Sequence, residues 1–151
     1  MIILDQTISE LNVPVVMVDG SFDPLHDGHI LYFSGAAAFG LPVFCNVAPD
    51  KYTRSKHPVL LPQEKRIVVL DAITYLDFVY PCKTSTADVL KRVRPKIYAK
   101  GSDWLERGGV PNCEKEICDE LGIEIRYVNE PRNSSTDIIE TFLHSNRDWA
   151  Q

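Results

Sequence analysis

At 151 residues, with 44% hydrophobic and 25% charged positions, the chain has the size and composition of one globular domain with a single substantial core. A net charge of −5 excludes a general nucleic-acid binder, which needs a basic surface to displace phosphate counterions. No apolar run reaches the roughly 18 residues of a membrane span. The opening Met1-Ile2-Ile3-Leu4-Asp5 lacks the basic flank and long apolar run of a secretory leader, so a cytoplasmic protein is expected.

Residues 1–13 read as an N-terminal extension that packs on the body or on a dimer partner. The main domain is expected over 14–145, with 146–151 as a tail. Strand 15–18 is β-branched and apolar, and helix 27–39 follows it and stops at Gly40. Strand 42–47 comes next, then a basic loop over 49–61 carrying Lys51, Arg54, Lys56 and His57. Pro62 suits the first turn of a helix over 64–75, whose apolar stripe is Ile67, Val68, Leu70, Ala72 and Ile73. A strand at 77–80, a helix at 86–93 and a strand at 97–99 lead to a turn at Gly101. A helix over 113–121 stops at Gly122, an alternating strand fills 123–128, and a helix over 135–144 closes the fold. This alternation predicts a Rossmann-like, doubly wound α/β fold: a mostly parallel five-stranded sheet with helices on both faces. Ligands of such sheets bind at the carboxyl ends of the strands, near the switch in strand order.

Cys45, Cys82, Cys113 and Cys118 show no C-x-x-C pair and no zinc-ligand spacing. Cys45 and Cys82 read as small buried hydrophobes beside strands, and a five-residue step puts Cys113 and Cys118 on different faces. Reduced thiols are the simplest account.

The richest segment is Gly20-Ser21-Phe22-Asp23-Pro24-Leu25-His26-Asp27-Gly28-His29, placed where the first strand hands over to the first helix. His26 and His29, three residues apart, share one helix face. Helix N-termini attract phosphate, and imidazoles add donors to phosphoryl oxygens. Gly20 allows close backbone approach at the start of this turn. Asp23 reads either as a turn residue or as a contact to an acceptor substrate. Arg66, after the basic loop, reads either as a phosphate contact or as a surface salt bridge to Glu64 or a neighbour.

This decapeptide resembles the HxGH signature of the nucleotidyltransferase superfamily that includes small cytidylyltransferases and adenylyltransferases. Lys100-Gly101-Ser102-Asp103-Trp104 resembles the G-x-D-W/Y segment of glycerol-3-phosphate cytidylyltransferases and heptose-1-phosphate adenylyltransferases. Ser134-Ser135-Thr136-Asp137-Ile138-Ile139 resembles their late S-T-T/S-x-I segment. The resemblance implies attack of an acceptor phosphate on the α-phosphorus of a nucleoside triphosphate, with pyrophosphate leaving. Catalysis then lies in alignment and charge stabilisation, with no enzyme nucleophile.

Carried over by resemblance, His26, His29 and Lys56 are the catalytic residues, Lys56 as a mobile cation over the triphosphate with Arg54 as the second candidate. Gly20, Ser21, Phe22, Arg54, Lys100, Gly101, Asp103, Ser134, Ser135 and Thr136 hold the nucleotide, and Asp23 and Arg132 the acceptor. The late segment departs from the cytidylyltransferase pattern R-T-E-G-I-S-T-T: Pro131-Arg132-Asn133-Ser134-Ser135-Thr136 is shorter, so the register of Arg132 is open. The serines and Lys100-Gly101 lean toward adenylyl transfer to a heptose-like sugar phosphate. The alternatives are a glycerol-3-phosphate type of cytidylyltransferase and a nucleotide-binding regulator without turnover. A tRNA-charging fragment is disfavoured by the short, acidic chain. Mg²⁺ is expected, bound mainly through the nucleotide with no dedicated protein ligand. A homodimer is implied by resemblance alone.

Overall fold

The computed structural model describes residues 1–129 and 134–145. In chain order the elements are β1 (Val16–Gly20), α1 (Asp27–Ala37), β2 (Val43–Val47), α2 (Asp50–Arg54), α3 (Gln63–Asp71), β3 (Phe78–Pro81), α4 (Thr86–Val93), β4 (Ile97–Gly101), α5 (Asp103–Glu106), α6 (Asn112–Leu121), β5 (Glu124–Val128) and α7 (Ser135–Ser145). All strand pairs are parallel, in the order β3-β2-β1-β4-β5. The expected doubly wound α/β fold is therefore the one adopted. Its strand order reverses between β1 and β4, so the crevice at their carboxyl ends is the natural ligand position.

Every residue of β2 and β4 is buried, as befits strands covered on both faces. Alternate residues feed two cores. Val16, Val18, Val43, Cys45, Ile97 and Ala99 pack with Phe33 and Ala36 of α1 and with Ile67 and Leu70 of α3. Met17, Phe44, Tyr80 and Tyr98 pack on the other side with Val89 and Leu90 of α4 and with Ile117 and Cys118 of α6. Each buried aliphatic of this size contributes roughly 1.5–3 kcal/mol. Gly35 lets α1 settle on the sheet, since a Cβ there would lie 2.2 Å from Val128 Cγ1.

Several expectations shift. The first helix ends at Ala37, because Phe39 and Gly40 bond back three residues and Gly40 turns with φ +79°. Two short helices, α2 and α5, occupy segments read as loop and turn. In α3 the buried face is Arg66, Ile67 and Leu70, while Val68 is 67% exposed and Ala72 lies beyond the helix end. Ile67 and Leu70 of the predicted stripe are buried and Ile73 packs against the same core, but Val68 turns outward and an arginine takes an inward position instead. Cys45, Cys82 and Cys118 are buried and Cys113 is exposed, so the last two do lie on different faces.

Residues 1–10 cover the outer edge of β3. Ile3 N–H donates to Val79 O at 2.8 Å, and Val79 N–H donates to Met1 O at 2.9 Å. Ile3 and Ile8 are buried in the core on the α4 side. The Asp5 carboxylate accepts from the Tyr80 hydroxyl at 2.5 Å and from Arg92 at 2.8 Å. An edge strand covered in this way has few free backbone groups to recruit another chain.

Candidate active site

The turn between β1 and α1 is set by three buried anchors. Phe22 adopts a left-handed backbone, φ 53°, and drives its ring under the turn against Phe33 and edge-on to His29. That ring occupies the space above Gly20, where a Cβ would meet Phe22 Cζ at 3.0 Å. The close approach that requires glycine here is thus made by the protein's own ring.

Asp23 is fully buried. Its two oxygens accept from Leu60 N–H at 2.8 Å and Leu61 N–H at 2.9 Å. It therefore clamps the end of the basic loop to the turn, and both oxygens are engaged. Of its two readings the structural one applies, through a partner 37 residues away instead of its own turn.

Arg66, 1% exposed, is neither a surface residue nor directed at solvent. Its guanidinium donates to Ser21 O at 2.6 Å, Ala48 O at 3.0 Å and Leu61 O at 2.9 Å, and pairs with Asp50 Oδ1 at 2.6 Å. One side chain thus ties the ends of β1 and β2 to α2 and α3. Thr53 adds a hydroxyl contact to Ser21 Oγ at 3.0 Å, and Gln63 donates to Val47 O and Cys82 O. Sequence reading did not single out Asp50, Thr53 or Gln63. Their polar identity matches an ordinary solvated loop, and only the fold supplies their partners.

His26 sits at the N-cap of α1 with extended backbone, and His29 is at the third helical position. Their rings stack with centroids 3.7 Å apart at 21°. His26 N–H reaches His29 Nδ1 at 3.3 Å, a weak cap. Both His26 ring nitrogens are buried and lack a hydrogen-bond partner. Burial holds the His26 pKa below the ordinary imidazole value, with the Asp27 carboxylate 3.9 Å away opposing it. Burial, followed by the neighbouring His26, pushes His29 down to about 3. Both shifts favour the neutral imidazoles at pH 7, and His26 presents its unsatisfied nitrogens at a helix N-terminus, where an anion is favoured.

This depression has a measurable consequence for the fold. Between pH 6.5 and about 3 the unfolded chain binds a proton at His29 that the folded chain does not, so stability falls as pH falls through that window. A His29→Gln variant should lose less melting temperature than the parent between pH 7 and pH 5. Parallel slopes for the two proteins would show that the imidazole is not the group responsible.

The remaining sequence-predicted residues separate into near and far. Ser135 Oγ donates to Pro24 O at 2.8 Å, bringing the start of α7 onto the histidine turn across 111 residues, and Ser134 Oγ caps Asp137 N at 3.3 Å. Thr136 is half-buried in the same turn. Arg132 lies outside the described residues. Arg54 and Lys56 are exposed on and after α2, with Lys56 Nζ 4.6 Å from the centre of the Tyr52 ring.

Lys100 is buried and projects to the sheet face opposite α1. It pairs with Asp19 Oδ1 at 2.7 Å and lies 4.2 Å from the Trp104 ring centre. It is therefore not brought together with the histidines. Its contacts instead fix Trp104, over which Arg107 also lies at 5.1 Å. Gly101 ends β4 in the core, and Asp103 opens α5, half-exposed, with Arg107 at 3.4 Å.

Among the described residues no group of three or more His, Cys, Asp or Glu side chains converges in a way that holds a metal ion. No helix among these residues is long and apolar enough to cross a membrane.

Comparison with known proteins gives a consistent picture. FAD synthase of Methanosarcina barkeri is 28% identical over 127 residues, 83% of this chain and 89% of that protein. The bifunctional protein HldE of Yersinia pestis is 36% identical over 133 residues, covering 84% of this chain but 27% of that protein, so the chain spans about a quarter of HldE. Among solved structures, the lipopolysaccharide core biosynthesis protein of Thermoplasma volcanium superposes with a TM-score of 0.64 at 23% identity, over 81% of this chain and 99% of that one. Pantothenate synthetase of Thermus thermophilus gives 0.60 at 16% identity, over 91% and 66%, a likeness of fold. The cytidylyltransferase-like family model matches residues 17–141, a span that runs from β1 and the stacked histidines to α7, and the chain belongs to that family of nucleotidyltransferases.

Proposed function

We propose that the chain transfers an adenylyl group from ATP to the phosphate of a heptose-like sugar phosphate or a polyol phosphate, releasing pyrophosphate. An acceptor phosphate oxygen bonds to the α-phosphorus as the bond to the β-phosphate oxygen breaks. The observation that carries this reading is the stacked His26–His29 pair at the N-terminus of α1, with both His26 ring nitrogens buried and unpartnered. Protein donors already in place stabilise phosphoryl charge without reorganisation. In this reading the Ser21 and Phe22 backbone and the start of α7 line the nucleotide. The 101–104 segment meets its base or ribose, and Lys56, with Arg54, closes over the triphosphate from the loop. Mg²⁺ enters with the nucleotide, and the enzyme works in the cytoplasm as a homodimer.

A second acceptor, FMN, is supported by the similarity to FAD synthase over 89% of that relative's length. FMN is itself the phosphate of a ribityl chain, so the two readings share their chemistry.

The test has two stages. Saturating ATP should raise the melting temperature by about 5–10 °C, from ligand linkage of about 2.7 kcal/mol at a hundredfold excess over Kd and the usual few degrees per kcal/mol. Pyrophosphate release is then measured with ATP or CTP against heptose phosphates, glycerol 3-phosphate and FMN. Release with CTP alone would replace adenylyl by cytidylyl transfer. Nucleotide binding without release from any acceptor would make the protein a nucleotide-binding regulator.

A further inference from the structure

A second polar cluster lies at the carboxyl end of the same sheet, on the face away from the histidines. Asp19 of β1 and Asn46 of β2 are register partners in a parallel pair, so their side chains leave the same face. Asp19 is fully used: Oδ1 takes the Lys100 ammonium at 2.7 Å, and Oδ2 accepts from the hydroxyl of Thr86, the first residue of α4, at 3.1 Å. Asn46 is 2% exposed. Its side chain hydrogen-bonds the Cys82 thiol, and its carbonyl oxygen Oδ1 is buried with no partner. A buried carbonyl without a donor destabilises a fold, and such groups are rare unless something supplies the donor.

The chemistry of that donor is restricted. The unmet atom is an acceptor, and the Asp19 carboxylate stands on the neighbouring strand. An ionised phosphate or carboxylate has no hydrogen to donate to that acceptor, whereas a hydroxyl is matched. Asn46 lies one strand over from Asp19, about 4.8 Å, and Ser21 two residues along, about 6.6 Å. The Asn46 and Ser21 backbones are therefore about 8 Å apart across the carboxyl edge of the sheet, a separation that an extended polyhydroxylated acceptor can bridge and a bare phosphate cannot.

We propose that Asn46 is a specificity-determining residue that reads the acceptor, its Oδ1 accepting a hydrogen bond from a hydroxyl remote from the reacting phosphate. This rests on the reading that the acceptor is a polyhydroxylated phosphate. It orients the acceptor, with phosphate toward the histidines and hydroxyls toward the α4 face.

The test compares the parent with Asn46→Leu and Asn46→Val, using ATP with ribose 5-phosphate, FMN or the hydroxyl-free acceptor methyl phosphate. Loss of one hydrogen bond to a matched hydroxyl should raise the KM for the polyol phosphates about tenfold. The KM values for ATP and for methyl phosphate should stay unchanged. Melting temperatures should hold or rise, because the orphan carbonyl is gone; the variant that melts in a single transition is the one assayed. Unchanged polyol KM values would overturn the inference and leave Asn46 serving only a buried water. If the parent turns over none of these acceptors, the functional reading fails separately. Asn46 is then judged by thermal shift with ribose 5-phosphate: a shift in the parent that Asn46→Leu abolishes sustains the site, and no shift in the parent sinks it.

Discussion

Replacing His29 by alanine should lower kcat by about 10²–10³-fold, the cost of removing one preorganised donor from a developing phosphoryl charge. Stability should hardly change. His29 contributes a 3.3 Å acceptor contact to the His26 backbone, the stack on the His26 ring and edge-on packing with Phe22. A weak cap of this kind is worth about 1 kcal/mol or less. Pyrophosphate release at saturating substrates, alongside a thermal melt, separates chemistry from folding. Full activity in a folded His29→Ala protein would remove the histidines from the mechanism altogether. The depressed pKa values of the pair add a further sign: bound triphosphate favours the protonated imidazoles, so nucleotide binding should take up protons at acidic pH, below the ordinary imidazole value.

The largest stability effect is expected at Arg66. Arg66→Met should cost about 3–5 kcal/mol in urea unfolding, the usual penalty for breaking a buried charge pair from one side. Three backbone carbonyls, of Ser21, Ala48 and Leu61, lose their guanidinium donor, and Asp50 keeps only the Gln63 N–H, without its cationic partner. Against a typical total of about 5–15 kcal/mol, that leaves a marginal protein. Arg66→Lys should recover little, since a single ammonium does not reproduce the planar fork that serves these acceptors. A loss under about 1 kcal/mol for Arg66→Met would mean that the network holds without its centre. Because Ser21 sits in the histidine turn, a folded Arg66 variant should also bind ATP more weakly.

Much of the fold was legible in the chain. Helix α4 falls on the predicted 86–93, its N-cap Ser85 accepting from Asp88 N–H and its last turn closing in a left-handed residue, Arg94. Helix α6 stops at Gly122, φ +69°, where punctuation predicted it. Such signals are local, lying within one turn of the backbone they control. Short helices α2 and α5, of five and four residues, escaped notice because they are too brief for a periodic pattern. On α3 the stripe placed Ile67 and Leu70 correctly but missed Arg66, whose burial contradicts its charge. An arginine goes inside only where acceptors converge on it, and those acceptors come from other elements.

The candidate site divides along the same line. The histidine pair was readable because its spacing is three residues and its geometry is that of a single helical turn. By itself, the sequence determined the alternation of strands and helices, the histidine-bearing turn after β1 and membership in a family whose model matches residues 17–141. Tertiary structure alone decided which polar residues meet: Arg66 with Ser21 across 45 positions, Lys100 with Asp19 across 81, Ser135 with Pro24 across 111. It alone turned Lys100 away from the histidines and left the Asn46 carbonyl without a partner. The physical reason is range. Backbone propensity and capping act over a few residues, whereas a buried charge or amide is defined by partners that only chain folding brings within hydrogen-bond distance.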